Sequence, residues 1–319
     1  MKVIVHEKFG PPDVLQLVER ETPVPASNEI LIRNYATTVE LEDPMFRKRP
    51  GFNGIFKPKH PIPGMFFAGE VSAAGSAVTQ FSTGDRVWGA TGMKFGCCAE
   101  YITLAESGPL SLMPSNLSYQ DAAALLNGTL TALPFLVEKG KIKEGQKVLI
   151  NGASGGVGSS AVQIAKHLGT TVSGTCSTKN VELVTSLGAD NVIDYTKEDF
   201  LQSGGTYDII FDVAAKETFP ACKSALTESG VYLRTAPNIG VFLGGVFGSS
   251  GKKARFTAAG LRSTDKKRAD LVTITQMIEA HGMKSAIDAV YPLAQTAKAH
   301  RHVEEGRKNG VVVISLEDL

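Results

Sequence analysis

The sequence has almost no excess charge: 33 Lys and Arg stand against 32 Asp and Glu in 319 residues, a formal net charge of +1. A nucleic-acid binder usually carries a clear basic excess, so nothing global draws this chain to a polyanion. Long apolar runs are also missing. None approaches the roughly 20 residues that a bilayer span needs, and the opening MKVIVHEKFG lacks the basic-then-apolar order of a secretory signal. The four cysteines (Cys97, Cys98, Cys176, Cys222) are too few and too irregularly spaced for a disulfide framework. These absences predict a cytoplasmic protein without a membrane or nucleic-acid partner. None of the six histidines pairs with a cysteine at ligand spacing. His300 and His302 are two apart in a predicted helix, so they point to different sides, and Cys97 and Cys98 are adjacent. No metal site is expected from such a donor set. No G-x-S-x-G elbow marks a nucleophile either, so the catalytic side chains stay unassigned and a cofactor would carry the chemistry.

Glycine, by contrast, is plentiful: 33 residues, about one in ten against a usual ~7%. Residues 1 to about 120 read as mostly β, with candidate strands at 2–7, 29–35, 68–74, 85–88 and 99–104 between turn-rich segments. Ser118-Tyr119-Gln120-Asp121 before an alanine run has the pattern of a capping box opening a helix. From residue 147 strands and helices alternate. Strands are predicted at 147–151, 171–175, 191–194, 207–212, 231–235 and 253–257, and helices at 156–168, 180–187 and 219–226. That alternation predicts an α/β fold with a doubly wound parallel sheet. A helix over 265–280 follows. The tail 285–319, two short strands around one helix, is too short for a domain and returns to the first.

Lys147-Val148-Leu149-Ile150-Asn151-Gly152-Ala153-Ser154-Gly155-Gly156-Val157-Gly158 is the sharpest motif. Aligned to G-x-G-x-x-G it reads Ala153-x-Gly155-x-x-Gly158, a strand entering a tight turn that opens a helix. Gly155 would let the backbone approach a pyrophosphate, Gly158 would let the helix pack on the strand, and the helix start would offer N–H groups to the anion. The plain alternative is a structural turn without a ligand. About 20 residues on, where NAD binders usually place a carboxylate, the chain reads Thr175-Cys176-Ser177-Thr178-Lys179-Asn180. Hydroxyls and a lysine suit a 2′-phosphate, which selects NADP(H), with Ser177 and Lys179 as phosphate contacts and Thr175 as a further cofactor-binding candidate. The same residues also suit the cap of the next helix.

Further segments carry a family likeness: Gly64-Met65-Phe66-Phe67-Ala68-Gly69-Glu70-Val71, Gly84-Asp85-Arg86-Val87-Trp88-Gly89, Ala99-Glu100-Tyr101, Gly128-Thr129-Leu130-Thr131-Ala132, Leu187-Gly188-Ala189-Asp190 and Ile193-Asp194-Tyr195. With the glycine loop, in this order and spacing, they make nearly the whole chain resemble the zinc-independent medium-chain dehydrogenases/reductases, in the quinone oxidoreductase (zeta-crystallin-like) branch. The resemblance implies a Rossmann domain (123–284) inserted into a GroES-like β-rich domain (1–122, completed by 285–319). It implies a homodimer that reduces quinones or other α,β-unsaturated carbonyls with NADPH. By position, Thr131 would lie near the nicotinamide, Ser154, Gly156 and Val157 near the pyrophosphate, and Ser177, Lys179 and Tyr195 around the 2′-phosphate.

Zinc-dependent relatives carry Gly-His-Glu where this chain has Gly64-Met65-Phe66, and cysteine at Glu40. The chain also departs from the quinone-reductase branch, which has Asp at Phe66 and Asn at Glu40. These exchanges either move one charge across a local network or reshape the site. Glu40, Phe46, Phe52 and Phe66 are candidate substrate-pocket residues, with Phe56 a further aromatic, although a phenylalanine is more often simply a core residue. The stretch 43–52 holds no tyrosine acid, so solvent or a cofactor hydroxyl is expected to supply the proton. Segment 238–250, apolar with four glycines, reads as a cleft lip, a dimer contact or a plain loop. A catalytically weak NADPH-binding protein, acting as redox sensor or structural partner, is the alternative function the same features would serve.

Overall fold

The computed structural model describes residues 1–51, 53–202, 204–236, 251–257, 259–306 and 308–317; Phe52 and the segment 238–250 therefore lie outside the described residues. The described chain divides into two compact units, Met1–Leu126 with Ser263–Leu319, and Asn127–Arg262.

In chain order the first unit begins with β1 (Lys2–Val5), β2 (Gln16–Glu19), β3 (Glu29–Val39), α1 (Asp43–Lys48), β4 (Phe66–Ala74), β5 (Arg86–Ala90), β6 (Tyr101–Ala105) and β7 (Leu110–Leu112). Alternating Ile30, Ile32 and Val71, Val87 bury one face of this sheet against Val3, Phe67 and Leu110, as period-2 patterning requires. Gly69 sits where strands cross closely: a Cβ there would meet Arg33 O at 2.2 Å. Helix α2 (Tyr119–Pro134) follows, and its Ser118 Oγ accepts the Asp121 N–H at 3.1 Å, the expected cap.

The second unit contains β8 (Lys147–Asn151), α3 (Gly156–His167), β9 (Thr171–Cys176), α4 (Val181–Ser186), β10 (Asn191–Asp194), β11 (Tyr207–Asp212), α5 (Phe219–Cys222), β12 (Leu226–Arg234) and β13 (Lys253–Arg255). Its six strands lie in the order β10-β9-β8-β11-β12-β13, and every pairing is parallel. This is the 3-2-1-4-5-6 order of a dinucleotide-binding sheet, whose switch point falls between β8 and β11. The expected helix over 219–226 is shorter than the pattern suggested. Thr218 caps it through Ala221 N, but Leu226 already pairs with Tyr207 as the first residue of β12.

The chain then enters α6 (Thr264–His281), β14 (Ile287–Pro292), α7 (Thr296–Glu304) and β15 (Val311–Ser315). In this tail β15 runs antiparallel to β3, and β14 pairs with β15. A boundary at 284 would group α6 with the parallel sheet, whereas its contacts lie in the first unit. Asn116 Nδ2 donates to Ile278 O at 3.2 Å, and Arg268 reaches Gln80 at 2.6 Å.

Candidate functional site

In the second unit, β8 delivers Asn151 to the glycine turn. Gly152 has φ +91°, where an L side chain is strained, and a Cβ would meet Ala214 at 3.1 Å. At Gly158 a Cβ would lie 2.0 Å from Gly152 O, so the protein itself demands glycine at both positions. Gly155 is different. A Cβ there would meet nothing nearer than Gly152 O at 3.7 Å, and its φ of −76° is ordinary. Nothing in the chain requires glycine there, whereas a ligand lying on the turn would. The N-cap Gly155 also gives α3 no side-chain cap, which leaves the first N–H groups of a 12-residue helix for an anion.

The structure joins two sets of expected residues. Asn180 Nδ2 donates to Ser154 Oγ at 3.1 Å and to Ser177 Oγ at 3.3 Å, tying the glycine turn to the end of β9. Lys179 stands exposed in the short turn Thr178–Asn180. Asp194 anchors that turn by accepting the Thr178 hydroxyl at 2.6 Å. The hydroxyls of Thr178 and Thr196 hold its carboxyl well below the usual carboxylate range. Tyr195 is 57% exposed, and its N–H donates to Cys176 O at 3.0 Å. Its ring faces the Lys216 ammonium, 5.8 Å from the centroid. A cavity of about 530 Å³ opens beside the turn, lined among others by Asn151, Gly152, Thr175, Tyr195, Ala214 and Lys216. The Thr175 hydroxyl is spoken for: it donates to Asn151 Oδ1 at 2.6 Å and accepts from Gly152 N at 3.0 Å. Thr131, on α2, lies 3.5 Å from Asn127 Oδ1 through its hydroxyl.

Sequence reasoning passed over Asn151, Asn180, Asp212 and Lys216. A signal was available for two of them. Asn151 and Asp212 are polar residues ending apolar strands, at the carboxyl ends where ligands of parallel sheets bind.

In the first unit, Glu40 is 4% exposed and Asp43 3%. Glu40 Oε1 accepts the Thr38 hydroxyl at 2.8 Å, and Glu40 N donates to Asp43 Oδ2 at 2.7 Å. Burial pushes the Asp43 carboxyl up to about 8, with Glu40 and Glu42 adding to it and the bond from Glu40 N opposing. Burial likewise raises the thiols, Cys97 to about 12 and Cys98 well above the usual range. Phe46 packs edge-on against Phe95 at 5.2 Å. Phe66 is half-buried on β4, and its carbonyl accepts the Thr37 hydroxyl at 2.7 Å. Phe56, 97% exposed, forms no buried wall.

Two family models match: an alcohol dehydrogenase GroES-like domain over residues 26–115, and a zinc-binding dehydrogenase domain over 187–314. The donor set does not fit the metal in the second description. Met65 and Phe66 replace the His-Glu of zinc enzymes, and the buried thiols hold their protons. No group of three or more His, Cys, Asp or Glu among the described residues is arranged to hold a metal ion. The chain is 31% identical to a chloroplastic quinone-oxidoreductase homolog of Spinacia oleracea, over 96% of this chain and 95% of that protein. It is 31% identical to a chloroplastic NADPH-dependent alkenal/one oxidoreductase of Arabidopsis thaliana, over 98% of this chain and 79% of that one. The crystal structure of Escherichia coli quinone oxidoreductase complexed with NADPH superposes with a TM-score of 0.81, at 25% identity, covering 99% of this chain and 100% of that one. With its Rossmann sheet, its GroES-like sheet and a likeness spanning both, the chain belongs to the zinc-independent quinone oxidoreductase family of the medium-chain dehydrogenases/reductases.

Proposed function

We propose that this protein is an NADPH-dependent, metal-free oxidoreductase that reduces quinones or other α,β-unsaturated carbonyls. The observation that carries the reading is Gly155, a glycine no neighbour requires, at the uncapped start of α3 in a 3-2-1-4-5-6 sheet. A pyrophosphate lying on the turn gives that glycine its reason. Ser154, Gly156 and Val157 would hold the pyrophosphate. The hydroxyl of Ser177, the ammonium of Lys179 and the ring of Tyr195 would hold the 2′-phosphate, where a carboxylate would repel it. Thr131 belongs to the nicotinamide end.

Bound NADPH supplies the hydride. The chain's own task is to fix the two reactants and exclude water, with the proton supplied by solvent or a cofactor hydroxyl. Glu40, Phe46 and Phe66 would contribute to the substrate pocket. Relatives of this kind named for quinones and alkenals or alkenones fit such electron-poor acceptors. A cytoplasmic homodimer completes the reading. Four buried free thiols suit a reducing compartment, and no helix among the described residues is long and apolar enough to cross a membrane.

The test is NADPH oxidation with 9,10-phenanthrenequinone and a panel of enones, before and after chelation. Turnover insensitive to chelator supports the reading. Tight NADPH binding without turnover on any acceptor overturns it. For the cofactor, Lys179→Ala should weaken NADPH about tenfold, as loss of one charge-assisted contact does, and leave NADH nearly unchanged. Equal losses for both would refute the 2′-phosphate assignment.

A further inference from the structure

Asp212 ends β11 at the switch point of the parallel sheet, in register with Asn151 at the end of β8. It is fully buried, yet it is the hub of two hydrogen-bonded arms. On one side Oδ1 accepts Asn151 Nδ2 at 2.9 Å; Asn151 Oδ1 accepts the Thr175 hydroxyl, and Thr175 Oγ1 accepts the Gly152 N–H. On the other side Oδ2 accepts the Tyr232 hydroxyl at 2.8 Å and the Glu217 N–H at 2.9 Å. The Arg234 guanidinium, 3.7 Å away, supplies the countercharge. It also donates to the carbonyls of Ala215 and Glu217 and, through Nε, to Ala236 at 3.0 Å.

The first arm ends on the glycine turn. The second ends on the loop 213–217, which places Ala214 and Lys216 on the cavity wall. That loop contains Ala215 at φ +53°, a left-handed conformation that a non-glycine residue keeps only when its surroundings enforce it. One buried carboxylate therefore fixes two walls of one cavity.

We propose that Asp212 is a positioning residue for the nucleotide: acting through Asn151 and Thr175 it sets the glycine turn, and through Glu217 and Arg234 it sets the opposing loop. The inference rests on the NADPH reading and assigns Thr175 a different part in it. Its hydroxyl is committed to the turn and acts on the ligand only through Gly152. Without the hub, both walls would have to be ordered at the moment of binding, which lowers affinity in addition to any cost to the fold. Asp212→Asn keeps the shape but puts an NH₂ among donors that already point inward. Thr175→Val removes the one hydroxyl link, and Thr175→Ser restores it.

The test is calorimetric titration of each full-length variant with NADPH and with 2′,5′-ADP, alongside thermal melting without ligand. Asp212→Asn and Thr175→Val should each raise Kd for both ligands about tenfold, with the kinetic loss falling on KM for NADPH. Thr175→Ser should return to within about twofold. The double variant should be no more than about twofold weaker than Asp212→Asn alone, because both cut one chain of bonds. Wild-type affinity in Thr175→Val, a Thr175→Ser as weak as Thr175→Val, or losses that multiply in the double variant would each overturn the inference. If Asp212→Asn fails to fold, the two Thr175 variants still decide it. Failure of the wild type to bind NADPH would instead remove the cofactor reading itself.

Discussion

The two units treat buried charge in opposite ways. In the parallel-sheet unit, Asp212 is surrounded by donors, and its bonds lead, directly or through Asn151, Thr175 and Tyr232, to backbone groups beside the cavity at the glycine turn. In the β-rich unit, Arg47 is 1% exposed and paired with Glu304, while its Nη1 and the Nδ1 atoms of buried His6 and His300 have no hydrogen-bond partner among the described residues. A satisfied network specifies geometry; a partly satisfied one stores instability that solvent pH can release. The difference predicts that disturbing the first changes ligand affinity and disturbing the second changes stability.

The largest effect should come from Arg47→Ala. Arg47 holds α1 to α7 through Glu304 and donates to Gly10 O at 3.1 Å, and its loss opens a cavity beside a half-relieved carboxylate. We expect a loss of about 3 kcal/mol or more, which in calorimetry is a fall in Tm of roughly 6–12 °C, with NADPH affinity kept. A variant that instead lost NADPH binding at unchanged Tm would erase the contrast between the units.

Next is the acid limb of the stability curve. Burial and the neighbouring Arg47 lower the His300 pKa to about 3, and burial lowers that of His6. Both pKa values lie below the unfolded one, so the unfolded chain takes up protons first. The contribution of these two imidazoles is complete above roughly pH 6.5 and is lost as pH falls toward 3. Arg47, on α1, is the charged group that acts on both imidazoles, and His6 also acts on His300. His300→Phe should reduce the slope of unfolding free energy between pH 4 and 6 by up to about 1.4 kcal/mol per pH unit, one proton's worth. An unchanged slope in denaturant titrations would show that these imidazoles are not the groups responsible.

How much of this was legible in the sequence follows from what carries the information. The glycine turn was legible because Gly152 answers to its own positive φ and Gly158 to Gly152 O six residues back, which spacing along the chain encodes; the contact of Gly152 with Ala214 was not. Asp212 was not, because its meaning depends on which strands are neighbours: it meets Asn151 only through the pairing of β11 with β8, 61 residues away. The length of β12 escaped for a similar reason, since Leu226-Thr227-Glu228-Ser229-Gly230 lacks a strand's pattern and is drawn in by pairing at Tyr207. Glu40 was singled out from family comparison, but its partnership with Asp43 needed the turn between β3 and α1.

The last test, which is read only at alkaline pH, sharpens the contrast from the other side. Asp43 has its pKa raised, to about 8, so the folded protein keeps a proton that the unfolded chain releases near pH 3.8. Stability must therefore decline as pH rises from about 4 to about 8, then level off, opposite in sign to the histidine limb. Asp43→Asn keeps an oxygen to accept the Glu40 N–H and has no proton to lose. It should melt a few degrees above wild type at pH 9 and no higher than wild type at pH 5. If the two melting curves keep a constant offset across that range, Asp43 is ionised in the fold and its burial is compensated. The β-rich unit would then resolve its buried charge as completely as the unit that holds Asp212.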